Sequence, residues 1–152
     1  RLVEMGRNGL KSGRGAYQYE SGSRVPIPDP EVLEIAKKEA HRLGVKQRSD
    51  ISDEEILVRV MFTLINEGAC ILEEGIAAKS SDIDVIYVYG YGFPVYRGGP
   101  MQYADEVGLG TILDKLVTYR DQLGDYGDMW LQPSDLLISL AKDGGTFKHY
   151  QK

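Results

Sequence analysis

Apolar residues recur at helical spacing through most of the chain, and the pattern is longest between Ile56 and Leu72. Ser52 followed by Glu55 is a capping box, and Gly75 stands where such a helix needs a left-handed closing residue. Together they predict one helix of about twenty residues. Ile56, Leu57, Val60, Met61, Leu64, Ile65, Gly68 and Leu72 form its main apolar stripe, the expected core face. Asn66 falls roughly 150° from the centre of that stripe. It shares a second, mixed face with Arg59, Phe62, Thr63 and Cys70. Asn has no liking for a helix interior, so Asn66 reads either as a tie to a neighbouring segment or as a polar group presented to a ligand or partner.

Shorter helices flank this one. Asp29-Pro30 is an N-cap with proline at the first helical position, and Val32, Leu33, Ile35, Ala36 and Leu43 give an amphipathic helix ending at Gly44. A third helix is expected with Ser81 as N-cap and Asp84 as its capping partner, although Val85-Ile86-Tyr87-Val88-Tyr89 has the composition of a strand. A fourth lies between Gly99 and Val107, a fifth from Thr111 to Leu123, and a sixth from Pro133 to Gly144-Gly145. Tyr17 and Tyr19 alternate as in a short strand and are expected to turn onto a core. Val25-Pro26-Ile27-Pro28 is an extended linker. Without strands alternating with helices the class is all-α, after a short irregular N-terminal segment.

Composition removes several function classes. The chain has 152 residues, with 18 basic against 23 acidic side chains, a net charge of −5. No basic stripe serves nucleic acid or an anionic membrane. Cys70 is the only cysteine, so there is no intrachain disulfide; between Ala69 and Ile71 it reads as a small buried residue, and a reactive thiol would lack a nearby activating base. The start Arg1-Leu2-Val3-Glu4 resembles neither a signal peptide nor an initiation site, and the chain reads as a fragment. GRNGLKSGRG lacks the order of a phosphate-binding loop. Glu54-Glu55 and Glu73-Glu74 are sequence neighbours that point to different helix sides, His41 is a solvated helix-terminal residue, and no His/Cys cluster suggests a metal.

LINEGACILEEGIAAKSSDIDVIYVYGYGFPVYRGGPMQYADEVGLGTILDKL closely resembles the C-terminal helical module of the 3-hydroxyacyl-CoA dehydrogenases. The similarity is best with the second such module of multifunctional enoyl-CoA hydratase/3-hydroxyacyl-CoA dehydrogenases of fatty-acid β-oxidation. MGRNGLKSGRGAYQYESGSRVPIPDPEV resembles the segment that closes the first module, followed by the linker into the second. The resemblance implies a compact multi-helix domain of the 6-phosphogluconate dehydrogenase C-terminal-like type. It divides the chain into a closing segment plus linker at 1–28 and the helical module at 29–152.

It also implies where the chemistry lies. Relatives transfer hydride to NAD using a His-Glu pair in a nucleotide-binding domain, and no G-x-G-x-x-G after a strand occurs in this chain; neither His41 nor His149 resembles the catalytic His motif. Asn66 matches the family's substrate-positioning asparagine, and since the working copy belongs to the first module it is expected to be a non-catalytic repeat copy. The loop Gly90 to Pro100 matches the family's G-x-G-[FWY]-P turn, in which Phe93 plugs the core; Arg97 within it is a candidate for a CoA phosphate. Expected partners are the preceding module and Rossmann domain of the same parent, its acyl-CoA substrate, and, for the isolated chain, a second copy on the Phe62, Thr63, Asn66 and Cys70 face. Neither nucleic acid nor membrane insertion is expected. The rival reading is a free-standing helical module binding protein or an acyl chain. Because His149-Tyr150-Gln151-Lys152 is not a peroxisomal address, a bacterial cytoplasm is expected.

Overall fold

A computed structural model describes residues 1–45 and 48–150. The chain divides into two compact units, Arg1–Asp50 and Ile51–Lys152.

In the first unit the described residues bury no apolar side chain. What they bury is polar: Arg7 and Asp29 form an ion pair with both side chains almost inaccessible, and Arg7 Nη2 also lies 3.1 Å from Glu31. The Asp29 carboxylate additionally accepts from Glu31 N at 3.0 Å, capping helix α1 (Pro30–Arg42). This pair fastens the start of α1 to the segment before it, within the unit Arg1–Asp50. Strands β1 (Tyr17–Gln18) and β2 (Ile27–Pro28) pair antiparallel, a small sheet that the alternating tyrosines hinted at. Tyr17 is 48% exposed, so it does not turn onto a core as expected.

The second unit is all-helical. Helix α2 (Asp53–Glu74) starts where Ser52 Oγ accepts from Glu55 N at 3.1 Å and ends at Gly75 with φ 78°. Helix α3 (Ser80–Gly90) follows, then α4 (Pro100–Val107), α5 (Leu109–Leu123), α6 (Asp125–Trp130) and α7 (Asp135–Asp143). The cap of α3 is Lys79, whose N–H is accepted by Asp82; the expected Ser81–Asp84 box fails because Asp84 turns inward to serve another helix. Helix wins over strand at Val85–Tyr89 because Ile83, Asp84 and Tyr87 pack along one helical face. Helix α6 is the element missed in the sequence, hidden by the turn-like composition of Gly124 to Gly127.

Helix α2 is the central member, packing on α4, α5 and α7. Its core face is Phe62, Ile65, Ala69 and Leu72, joined by Met101 and Ala104 of α4, Ile112 and Leu116 of α5, Leu136 and Leu137 of α7, and Phe147. Ile65, Met101, Ile112, Leu137 and Phe147 are fully buried, each a contribution of about 1.5–3 kcal/mol before the entropy of ordering is subtracted. Gly68 lets α4 approach: a Cβ there would sit 2.5 Å from the Met101 sulfur.

This arrangement buries only the C-terminal part of the expected stripe of α2. Ile65, Gly68 and Leu72 do face inward, but Ile56, Leu57 and Val60 are 51%, 53% and 63% exposed. The helix is apolar on two arcs, and the arc centred near Ala69 is the one its neighbours cover.

Candidate functional site

Asn66 is buried on α2, 7% exposed, and both ends of its amide are engaged. Nδ2 donates to the Gln132 carbonyl at 2.9 Å, and Oδ1 accepts from Ser134 N at 2.9 Å. Ser134 Oγ in turn accepts from Leu137 N at 3.1 Å, and Glu73 accepts from Leu136 N at 3.4 Å. Asn66 thus pins the segment that begins α7, supplying partners to buried backbone groups that the helix cannot satisfy itself.

Arg59 and Phe62, on the same face, are also engaged within the unit. Arg59 lies 4.5 Å above the Tyr119 ring of α5, pairs with Glu55 at 2.9 Å and reaches Gln122 at 3.4 Å. Phe62 is 4% exposed, and Thr63 Oγ1 donates to the Arg59 carbonyl at 2.7 Å. Of the face expected to meet a second copy, Phe62 and Asn66 are therefore buried within the unit, and Thr63 and Cys70 are half-buried. Cys70 is half-buried. Burial first, then the carboxylates of Glu67, Glu73 and Glu74, push its thiol up, the opposite of an activated nucleophile.

A second polar cluster joins α3 to α4. Asp84, 8% exposed, accepts from Met101 N at 2.7 Å through Oδ1 and from Gln102 N at 3.2 Å through Oδ2. It caps α4 from a residue on another helix, where Gly99 and Pro100 have no side chain able to do so. Burial pushes the Asp84 carboxyl up, while the two backbone N–H groups oppose that shift. Gly99, at φ 123° and ψ 172°, has its Cα against this carboxylate. Asp105 plays the matching part at the other end of α4, accepting from Phe147 N at 2.8 Å and Lys148 N at 3.0 Å.

In the loop between α3 and α4, Gly92 and Gly98 each have φ 74°, the turn geometry that the glycines predicted. Phe93 is half-buried and is not among the core residues; the aromatic plugs are Phe62 and Phe147. Arg97 lies 4.8 Å from the Tyr103 ring and 5.6 Å from Tyr96. It is served by different elements from Asn66, so the two do not form one pocket. Glu55 pairs with Arg59 and Glu73 serves α7, while Glu54 and Glu74 are exposed. His41 is exposed at the end of α1, and His149 Nδ1 lies 2.9 Å from Thr146 Oγ1.

Sequence reading gave Asp84 the wrong helix to cap and missed Asp105. A single carboxylate inside Ile83-Asp84-Val85-Ile86 was the available signal, because a charge inside an apolar helical run needs a specific partner.

These observations define an all-helical domain that spends its buried polar groups on joining its own helices. Residues 56–148 match the family model for the 3-hydroxyacyl-CoA dehydrogenase, C-terminal domain, and the chain belongs to that family. The peroxisomal bifunctional enzyme of Homo sapiens is 45% identical over 144 residues, covering 94% of this chain and 20% of the relative. The peroxisomal bifunctional enzyme of Danio rerio is 44% identical over the same length and shares. The peroxisomal fatty acid beta-oxidation multifunctional protein of Oryza sativa subsp. japonica is 33% identical over 144 residues, covering 93% of this chain and 19% of the relative. The chain therefore spans about a fifth of the length of these relatives, as a C-terminal module of a multifunctional β-oxidation enzyme would.

All three relatives are named as peroxisomal and come from eukaryotes, which overturns the expectation of a bacterial cytoplasm. That expectation leaned on the final residues, of which Gln151 and Lys152 lie outside those described.

Proposed function

We propose that this chain is the packing and assembly module of a bifunctional β-oxidation enzyme whose whole polypeptide hydrates enoyl-CoA and oxidises the (3S)-3-hydroxyacyl product with NAD. In this reading NAD and acyl-CoA are held by a nucleotide-binding domain and a preceding helical module of the same polypeptide. Residues 1–28 close that preceding module. The present chain binds neither cofactor nor substrate and supports the parts that do.

The observation that carries the reading is the uncovered arc of α2. Ile56, Leu57 and Val60 stand on the outer side of a helix whose opposite side is buried, and each is more than half exposed. A soluble helix seldom presents three large aliphatic side chains within two turns to water unless another body covers them. Asn66 favours the same reading. Turning its amide towards a substrate would break two 2.9 Å hydrogen bonds and strand the buried N–H of Ser134. Its role is to hold α7, not to position an acyl chain.

The test is to incubate the chain with 3-hydroxyacyl-CoA and NAD and to titrate NAD calorimetrically. No NADH should form and no saturable heat should appear, because hydride transfer needs a bound cofactor and a base within reach. NADH production, or a saturable titration, would overturn the assignment.

A further inference from the structure

We propose that α6 is a docking surface for a basic peptide segment of another protein, one that carries apolar side chains among its lysines or arginines. Tyr126, Met129 and Trp130 stand three and four residues apart on α6, a spacing that puts them on one helical face, and they are 58%, 71% and 59% exposed. The helix cannot turn that face inward. Gly127 is the residue of α6 buried against α5, where a Cβ would run into the backbone of Arg120, so the side that packs is fixed. The Tyr126 and Trp130 rings lie 6.4 Å apart and tilted by 47°, within the range of an aromatic pair, and hold the ridge as a unit.

Size and charge point to the occupant. The three side chains leave on the order of 400 Å² in water, about half of what one folded partner gives to an interface of standard size. A short segment suits that area better than a globular domain. Asp125 and Asp128 of α6 and Asp121 at the end of α5 lie around the ridge, and Arg120 is shared between Asp121 at 3.0 Å and Asp128 at 3.6 Å. Asp125 has no ion pair among the described residues, so these three carboxylates divide one guanidinium between them. The surplus negative charge repels anionic lipid and nucleic acid, and attracts a cationic segment. Trp130 and Tyr126 add to that preference, because the faces of both rings attract ammonium and guanidinium groups.

Trp130 is the only tryptophan of the chain, so its emission reports on the ridge directly. The test titrates the 152-residue chain with a short synthetic helix-forming peptide of leucine and lysine, and with its leucine–glutamate counterpart. The lysine peptide should shift the Trp130 emission to the blue with saturation, and the glutamate peptide should not. Binding of the labelled lysine peptide, read by anisotropy, should weaken at least about tenfold in Trp130→Ala and about threefold in Asp125→Asn, with unchanged helical circular dichroism. Glu54→Gln, at an exposed position of α2, should leave it as it was. No saturable shift with the lysine peptide would overturn the proposal. So would equal binding of both peptides, which would mark the ridge as apolar and nothing more. A loss in Glu54→Gln as large as that in Asp125→Asn would also overturn it, since the attraction would then belong to the net charge of the whole chain. A blue shift with phosphatidylcholine vesicles and none with the lysine peptide would give the ridge to a membrane surface instead. The ridge lies on a different helix from the arc of α2 assigned above, and none of these outcomes touches that assignment.

Discussion

Gly99→Ala should be far more damaging than one added methyl group suggests. The backbone at Gly99, φ 123° and ψ 172°, lies in a region open essentially to glycine alone. A side chain there costs about 1–3 kcal/mol in backbone strain before any contact is counted. A Cβ would also lie 2.3 Å from Asp84 Oδ1 and 2.5 Å from its Cγ, so the carboxylate must move. That carboxylate caps α4 through Met101 N and Gln102 N, and hydrogen bonds to charged groups are worth about 1.5–3 kcal/mol each. Loss of part of that cap brings the total to about 3–5 kcal/mol. Gly92→Ala provides the comparison: its φ is 74°, but a Cβ there has nothing within 4 Å, so only about 1 kcal/mol of left-handed strain applies. Urea unfolding of both variants, followed by far-ultraviolet circular dichroism, separates the two effects. Equal losses in Gly99→Ala and Gly92→Ala would refute the argument that Asp84 and Gly99 form one close-packed cap.

Two further perturbations follow from the polar ties. Asn66→Ala removes the partners of Gln132 O and Ser134 N, and should cost about 2–3 kcal/mol because a buried N–H is left unpaired. Thermal unfolding of Asn66→Ala within a kcal/mol of the native chain would show that the tie is dispensable. Asp84 supplies a pH dependence. Burial raises its carboxyl above the ordinary aspartate value, so the folded state holds that proton more tightly than the unfolded chain. The stabilising contribution is fully present below the unfolded value and is lost as pH rises through the higher folded one. The stability of the native chain relative to Asp84→Asn should therefore fall as pH is raised from 3 towards neutrality, and a difference that rises instead would contradict burial as the dominant cause.

Local signals made most helices readable. Asp29, Ser52, Gly44 and Gly75 act through bonds within their own turn, so their capping roles are encoded a few residues apart. The orientation of α2 was not readable. Ile56, Leu57 and Val60 give one arc, Phe62, Ile65 and Ala69 another, and periodicity cannot say which arc the neighbours will cover. Asp84 acts on Met101 across 17 residues and Asn66 on Ser134 across 68, distances at which pairing is set by helix packing rather than by spacing. Asn66 was visible as an odd residue in a helix; the group it would serve was not.

The central claim, a module that acts by packing against the rest of a longer enzyme, is tested most directly in a relative that contains such a remainder. In the human peroxisomal bifunctional enzyme, 45% identical over 144 residues, the matching fifth can be deleted, replaced by this chain, or replaced by this chain carrying Val60→Glu. NADH formation from 3-hydroxyacyl-CoA is then measured for each. Deletion should abolish turnover, the native replacement should restore it, and Val60→Glu should not, although Val60 is 63% exposed in the isolated chain and its substitution leaves that chain folded. Full turnover after deletion, or equal rescue by the native and Val60→Glu chains, would contradict the account.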